Sequence, residues 1–365
     1  MNDTRRSTRI KRSKRSPTPE EEIFCSERGT NSTGLAVLPD ELLLEILSYY
    51  PPLPHPTSRN NRVNAQAHIE RRERLLALSR TCSNLRRFFR PYIWERIEVC
   101  EGMRVGNSVL AFGLKKDDKE FAIELVRQLE IVTIRDATLA QHVKIVNVDI
   151  STFSVHSVLL ELGRCMALFD NLHTVRIELN LGYRGNNLAA LRAFRKYTYP
   201  QIRNVIISKW IYPLLDSCPQ VRTILQCGYD RDNVFERTLF DHLRNTPLLE
   251  VLDLDLLADE FEPLVKSCPL LREIAIASHY GGASVLVEQI SKLDELKHLQ
   301  SITLRTGEAG VLAWAKKHLL SIQNADKQEK IISISESWRQ TAQYLPAPLP
   351  DQRNTIASYV ERIKP

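Results

Sequence analysis

Apolar residues at helical spacing mark a first segment near the start of the chain. It runs from Pro39, which suits the first position of a helix, to the Pro51-Pro52 pair that would stop it. Asp40 and Glu41 favour the positive end of the helix dipole. Its broad apolar face consists of Leu42, Leu43, Ile46, Leu47 and Tyr50. The pattern predicts an amphipathic helix over this stretch.

A second apolar stripe follows a polar, proline-containing loop predicted over residues 51–68. It extends from about Glu70 to Arg90 and consists of Leu75, Leu78, Cys82, Leu85 and Phe89. Pro91 should end this helix and open a short third segment over residues 92–97. Three short helices with so many apolar side chains expose more than they can bury among themselves, so we expect a partner to cover them.

Beyond residue 140 the pattern changes to short strand-like segments of the form L-x-x-L-x-L, separated by helix-like segments. Their first apolar residues are Val143, Leu172, Ile202, Val221, Leu249, Leu271 and Leu299. The intervals lie in or near the range of about 20–29 residues that is typical of leucine-rich repeats. A unit of one strand and one helix cannot bury its apolar side alone, so the units should stack into a curved solenoid.

Side chains that alternate with the strand leucines should face the concave side of that solenoid. They are Asn147, Asp149, Thr174, Arg176, Glu178, Asp253, Asp255, Glu273, Thr303 and Arg305. This face is polar and mixed in sign, which suits a protein partner better than a phosphate backbone. The candidate substrate-binding residues on it are Arg176, Glu178, Asp253, Asp255, Glu273 and Arg305.

The predicted fold class is therefore α/β, with a small all-helical module followed by a repeat solenoid. We expect a disordered basic tail over residues 1–34, the helical module over 35–98 and a transitional segment over 99–139. The repeats should occupy 140–320 and a capping segment 321–365. Within that cap, residues 330–335 could form a last strand and residues 352–363 a closing helix.

Charge is concentrated at the N-terminus. Residues 1–19 carry seven basic side chains against Asp3 alone, so the other 43 basic and 43 acidic residues of the chain balance. No fold-wide footprint for a polyanion remains, and nucleic acid is not expected as a partner. The run from Lys11 to Arg15 is typical of a nuclear-import patch or an RNA contact, with a solubilising tail as the alternative.

Candidate chemistry adds little. Seven cysteines, an odd and scattered set, predict no disulfide framework and favour a reducing compartment, cytosol or nucleus. Cys218 and Cys268 precede prolines in two similar repeats, but zinc needs clustered ligand pairs, so buried cysteines are the better interpretation. No membrane span, secretory signal or catalytic motif is found, and we expect no cofactor and no metal.

Three separated segments resemble the F-box. They are Leu38-Pro39-x-Glu41-Leu42-Leu43-x-Glu45-Ile46-Leu47, then Leu75-x-x-Leu78-Ser79-x-Thr81-Cys82-x-x-Leu85-Arg86, then Ile93-Trp94-Glu95-Arg96-Ile97. The whole chain is similar to fungal F-box proteins that carry irregular leucine-rich repeats. The resemblance implies a non-catalytic substrate receptor whose F-box packs on the Skp-type adaptor of a cullin–RING ubiquitin ligase, while the repeats capture a protein substrate. The adaptor-facing residues would be Leu38, Pro39, Leu42, Ile46, Leu47, Leu78 and Trp94.

Three alternatives stay open. The adaptor-facing residues could instead form a buried core with the repeats. The protein could be a leucine-rich-repeat scaffold without a role in ubiquitination. The third hypothesis, ranked last, is a nuclear nucleic-acid binder that uses the basic tail, with affinity that falls steeply with salt.

Overall fold

The computed structural model describes residues 34–50, 53–56, 61–105, 108–110, 115–181, 187–227, 238–253, 261–277, 293, 295–305, 309–321, 330–335 and 358–363. The predicted basic tail lies outside the described residues, except for Gly34. Residues 51–52 and 57–60 of the loop predicted over residues 51–68, and residues 352–357 of the predicted closing helix, also lie outside them.

Three helices form the N-terminal module. After a 3-10 turn over Gly34–Val37 come α1 (Asp40–Ser48), α2 (Asn61–Thr81) and α3 (Ser83–Ile93). Pro39 takes the capping position before α1, and its carbonyl oxygen accepts the N–H groups of Leu42 and Leu43 at 3.0 and 3.2 Å. The first predicted helix is confirmed.

The rest of the helical prediction needs correction. The single helix predicted from about Glu70 to Arg90 is two helices, separated at Cys82. The backbone of Cys82 is extended, and its Sγ accepts the Leu85 N–H at 3.5 Å. Helix α2 begins within the predicted loop, at Asn61. Pro91 lies inside α3, because the turn continues past it with Trp94 N donating to the Arg90 carbonyl at 3.2 Å. The predicted third helix is wrong over residues 96–97, which belong to a strand.

The remaining described chain is built on a ten-stranded sheet. Its strands are β1 (Arg96–Val99), β4 (Ile145–Ile150), β5 (Thr174–Leu179), β6 (Asn204–Ile207), β7 (Thr223–Gln226), β8 (Val251–Asp253), β9 (Glu273–Ala277), β10 (Ser301–Arg305), β11 (Lys330–Ser335) and β12 (Ser358–Ile363). A small hairpin, β2 (Arg104–Val105) and β3 (Ser108–Val109), stands apart from it. The sheet strands lie side by side in chain order, all parallel except the last pair. Sequential parallel order with returning helices is the topology of a solenoid.

Helices return the chain between the strands. They are α4 (Lys115–Glu130), α5 (Val155–Met166), α6 (Leu188–Phe194), a long 3-10 segment (Lys209–Ser217), α7 (Thr238–Leu243), α8 (Phe261–Ser267) and α9 (Ala309–Ser321). Helix α4 continues through a π-turn (Ile131–Arg135) into a 3-10 turn (Ala137–His142) before β4.

The strand prediction is confirmed for all seven segments. Each of the seven predicted starting residues lies two positions before the observed strand, from Val143 before Ile145 to Leu299 before Ser301. Those starting residues are fully buried, and so are the strand residues that point toward the helices, such as Val146, Val175 and Ile302. The repeated leucine positions therefore form one continuous core between sheet and helices.

Each end of the sheet is protected differently. At the C-terminal end, β12 pairs antiparallel with β11, so the helix predicted over residues 352–363 is wrong for the described residues 358–363. The edge of β11 offers unpaired backbone groups, and β12 takes them up over its whole length. At the other end, the Gln128 side chain of α4 makes both backbone hydrogen bonds of Glu98, at 3.3 and 3.2 Å.

A close helix contact supports the repeats near the middle of the sheet. Gly163 of α5 faces α6, where a Cβ atom would lie 2.9 Å from the Ala193 carbonyl oxygen and 3.3 Å from the Tyr199 hydroxyl. The Tyr199 hydroxyl also donates to the Gly163 carbonyl at 3.1 Å. Glycine is needed here for space, since the α6 backbone cannot rotate away as a side chain could.

Because of this contact, we expect Gly163→Ala to lower the free energy of unfolding, although the same substitution normally stabilises a helix. Alanine normally stabilises a helix interior by about 1 kcal/mol over glycine. Here the added methyl group pushes α5 from α6, and we expect a loss of about 1–3 kcal/mol in the free energy of unfolding. Chemical denaturation measures it, with Ser157→Ala on the exposed face of α5 as the control. A stabilised Gly163→Ala variant would contradict this packing.

Candidate protein-binding surfaces

Helix α1 presents an apolar stripe to solvent. Leu42 is 49% exposed, Tyr49 is 75% exposed, and the half-buried Ile46 lies between them at helical spacing. Leu43 and Leu47, on the adjacent face, are buried. We call Leu42, Ile46 and Tyr49 the α1 stripe. Sequence reasoning missed Tyr49, although its position seven residues after Leu42 could have indicated it.

The seven predicted adaptor-facing residues divide into three groups. Pro39 and Leu42 are exposed. Leu38, Ile46 and Leu78 are half-buried and pack against the core with part of their surface accessible. Further apolar surface lies close by in sequence, with Val37 51% and Leu44 47% exposed.

Leu47 and Trp94 form the third group, and the expectation that they face an adaptor is wrong for this structure. Each is only 9% exposed and belongs to the protein's own core. Trp94 sits directly between α3 and β1, and the guanidinium of Arg72 lies over its ring at 5.0 Å. Trp94 lies where the chain passes from α3 into the sheet, and Leu47 lies on the face of α1 that packs on the core.

Polar contacts hold α1 on the module. The Arg71 guanidinium of α2 donates to the Tyr50 carbonyl oxygen, and Arg74 lies over the Tyr50 ring at 5.5 Å. Arg87 of α3 pairs with Asp40 at 3.5 Å. The last pair is exposed and contributes little by itself. The helix is fixed by one buried face while the α1 stripe stays accessible.

The predicted concave face carries polar side chains, but its first part is closed. Among the six candidate substrate-binding residues, Arg176 of β5 is 3% exposed. It donates to Asp149 at 2.6 Å and Asn147 at 3.2 Å, and it pairs with Glu178. The Asp149 carboxylate also accepts the Glu101 N–H at 2.6 Å. Arg176 is therefore committed to internal partners and cannot meet a substrate, which corrects its predicted role.

Burial dominates the electrostatics of this cluster. It raises the pKa of Asp149 and of Glu178, and the charge of Arg176 offsets only part of that rise. Burial also opposes the charge on Arg176, but Asp149 and the other nearby acidic groups outweigh it and raise the pKa of the guanidinium. Glu178 retains 21% side-chain exposure, so it forms the outer edge of the cluster.

Accessibility increases toward the far end of the sheet. Thr223 and Leu225 of β7, Asp253 of β8 and Thr303 of β10 are half-buried, and Glu273 of β9 is exposed. The register aligns Leu225 with Asp253, then with Ala275 and Thr303, in one row across these strands. We call the polar side of β7–β10 the open face. Asp255 and the Arg305 side chain lie outside the described residues.

A second buried cluster lies where the helical module meets the sheet. Glu98 of β1 is fully buried and pairs with His68 of α2 at 3.0 Å and Arg96 at 2.8 Å. Its carboxylate also accepts the Asn147 amide at 2.8 Å. Burial opposes ionisation, but the interactions of the carboxylate with His68 and Arg96 outweigh it and lower the pKa of Glu98 to about 2.

Other kinds of site find little support in the described part of the chain. It contains no group of acidic, histidine and cysteine residues arranged to hold a metal ion. Its six described cysteines are unpaired; Cys218 and Cys268 are buried, as predicted, and burial raises the pKa of both thiols. Among the described helices, none has the length and apolarity to cross a membrane.

Comparison with known families concerns the helical module and the first strand. A sequence model described as F-box-like matches residues 35–99. This segment is an F-box-like domain. The match covers α1, α2, α3 and β1, so it includes the α1 stripe and, from the buried cluster, His68, Arg96 and Glu98. A search of the curated proteins finds no match to this chain.

The closed part of the polar face gives a prediction about Arg176. Replacing Arg176 by Met leaves Asp149 buried without its counter-charge, and we expect a loss of about 3–5 kcal/mol in the free energy of unfolding. Chemical denaturation checks this value, with the exposed Glu273→Gln as the control, expected within about 0.5 kcal/mol of wild type. A stable Arg176→Met variant would restore the residue as a candidate for direct binding.

The lowered pKa of Glu98 predicts that its contribution to the free energy of unfolding depends on pH in the acid range. Its folded pKa of about 2 lies below the unfolded value of about 4.3, so its contribution is complete above the unfolded value. That contribution is lost as the pH falls from about 4.3 through 2. The difference in unfolding free energy between wild type and Glu98→Gln should therefore shrink over this interval. Glu70→Gln, at an exposed site on α2, should show no such change, and a pH-independent difference for Glu98→Gln would contradict the assignment.

Proposed function

We propose that this protein is the substrate-recognition subunit of a Skp–cullin–F-box ubiquitin ligase, with no catalytic activity of its own. The F-box-like domain over residues 35–99 carries this proposal. An F-box-like domain suggests a Skp-type adaptor as its partner, and through that adaptor a cullin–RING ligase. The contribution to the reaction is proximity, because a bound protein would be held near an activated ubiquitin.

The α1 stripe supports the adaptor part of the proposal. Exposed apolar side chains at helical spacing form the kind of surface that another protein covers. Leu38, Pro39, Leu42, Ile46 and Leu78 remain in the proposed adaptor site, and Tyr49 joins them. The burial of Leu47 and Trp94 makes this site smaller than the predicted one, and that favours the alternative of a repeat scaffold whose F-box has no ligase role.

The open face supports the substrate part. It is the accessible portion of the polar side among the described strands, and it lies several strands away from the F-box-like domain. Asp253 and Glu273 are the predicted substrate-binding residues on it, beside neutral Thr223, Leu225 and Thr303. A protein segment that offers basic and neutral side chains would complement this surface. The irregular leucine-rich repeats, the similarity to fungal proteins and residence in cytoplasm or nucleus stay predictions.

Adaptor binding tests the proposal directly. In the full chain, Leu42→Asp combined with Tyr49→Asp places two charges in the α1 stripe and spares the half-buried Ile46. We expect affinity for a purified Skp-type adaptor to fall at least about 100-fold, equivalent to about 3 kcal/mol. Isothermal titration calorimetry measures the affinity, and thermal unfolding verifies that the variant folds.

The matched control is Leu188→Asp, at a 50% exposed leucine of α6 that lies outside the F-box-like domain. This variant should bind the adaptor as wild type does. Undiminished binding by the double variant would remove the α1 stripe from the site. No binding by the wild-type protein would leave the scaffold as the better explanation.

A further inference from the structure

The chain has no linker between the F-box-like domain and the sheet. Helix α3 ends at Ile93 and β1 starts at Arg96, so two residues separate them. Strand β1 pairs in parallel with β4, which is a strand of the repeats. The matched F-box-like segment thus contains the first strand of the neighbouring sheet. Covalent continuity alone would still allow rotation at Trp94 and Glu95.

Buried charges block that rotation. The Glu98 carboxylate on β1 meets His68 from α2 at 3.0 Å, and both side chains are at most 5% exposed. Swinging α2 away from β1 would take the imidazole from the Glu98 carboxylate in a place that excludes water. Separation of a buried pair is costly because it leaves an uncompensated charge.

Glu98 makes contacts in three further directions. Arg96 donates to it and also to the Pro54 carbonyl oxygen at 3.0 Å, in the segment between α1 and α2. Asn147 of β4 donates to it from the repeat side at 2.8 Å. Gln128 of α4 binds the Glu98 backbone. Glu98 therefore contacts the F-box-like helices, the repeat sheet and its end cap at a single point.

A second contact lies outside this cluster. Arg90 of α3 pairs with Asp136, which also caps the 3-10 turn before β4 by accepting the Thr138 N–H at 3.2 Å. At the start of β4, Lys144 pairs with Glu95 at 3.0 Å. These contacts are partly exposed and weaker. Two separated points of attachment nevertheless define an orientation, which one point would not.

We infer that His68, Arg96 and Glu98 are positioning residues that hold the F-box-like helices and the repeat sheet as one rigid unit. The direction from the α1 stripe to the open face is then set within the folded chain. The consequence for ubiquitin transfer rests on the proposed function: a captured protein would be presented at one fixed orientation. The rigidity itself does not depend on adaptor binding.

Distance measurements between spin labels test the inference in the full chain. Labels attached through keto-bearing unnatural residues at Arg80 of α2 and Asp241 of α7, both exposed, avoid the native cysteines. We expect one narrow distance distribution for the wild type. His68→Leu should broaden it about twofold or more, because the polar group of α2 that contacts the buried Glu98 carboxylate is gone. His68→Gln, whose side-chain amide N–H could donate to Glu98, should keep most of the narrow distribution.

The control removes the solvent-facing ion pair between Glu70 and Arg74 on the same helix with Glu70→Gln alone, so that Arg74 keeps its contact with the Tyr50 ring. It should leave the distribution unchanged. A His68→Leu variant that folds and keeps the wild-type width would overturn the inference, whether or not the protein binds an adaptor.

If His68→Leu fails to fold, hydrogen exchange of the wild-type protein tests the inference instead. The amides of α2, α3, β1 and β4 should open with one common free energy, as a single cooperative unit. Opening of α2 and α3 at a clearly lower free energy than β4 would show two independent modules and overturn the inference.

Discussion

A carboxylate enclosed by protein on every side is stable in its ionised form only when cations or hydrogen-bond donors surround it, and Glu98 has such partners where two parts of the chain join. Its partners come from different elements: His68 from α2, Arg96 from its own strand and Asn147 from β4. If either α2 or β4 moved away, the Glu98 carboxylate would lose one of its partners. The helical module and the sheet therefore stabilise each other at this point, and neither side is complete alone.

The polar side of the sheet is buried near the F-box-like domain and becomes more accessible farther along the sheet. Over β1, β4 and β5, charged side chains satisfy one another and are closed to solvent, as Arg176 with Asp149 illustrates. Over β7 to β10 the side chains are shorter, mostly neutral and more accessible. One continuous surface thus serves as internal support near the F-box-like domain and as an available surface farther away.

For a substrate receptor this division has a mechanical meaning. An adaptor on the α1 stripe and a protein on the open face would be separated by the closed, charge-paired strands. Those strands contain few groups that could rearrange without leaving a buried charge unpaired. The proposed function requires two surfaces at a constant separation, and this arrangement supplies one physical means of keeping it.

The sequence by itself determined the elements that depend on local pattern. Leucine and valine spacing located β4 to β10 to within two residues, because a strand that must cover a core repeats its apolar positions. Pro39 and the residues after it located α1 for similar reasons. Sequence also identified the F-box-like segment, since its three motifs keep their order.

Tertiary structure decided which side chains remain accessible. Trp94 and Leu47 look like surface anchors in the sequence, yet both are buried in the core of the folded chain. Arg176 has the composition of a binding residue, yet Asp149 and Glu178 from the same and the neighbouring strand take up its donors. Alternation along a strand predicts which side of the sheet a side chain is on, but it does not predict which other groups cover that side chain. Burial depends on contacts between segments far apart in sequence, and only the folded chain contains them.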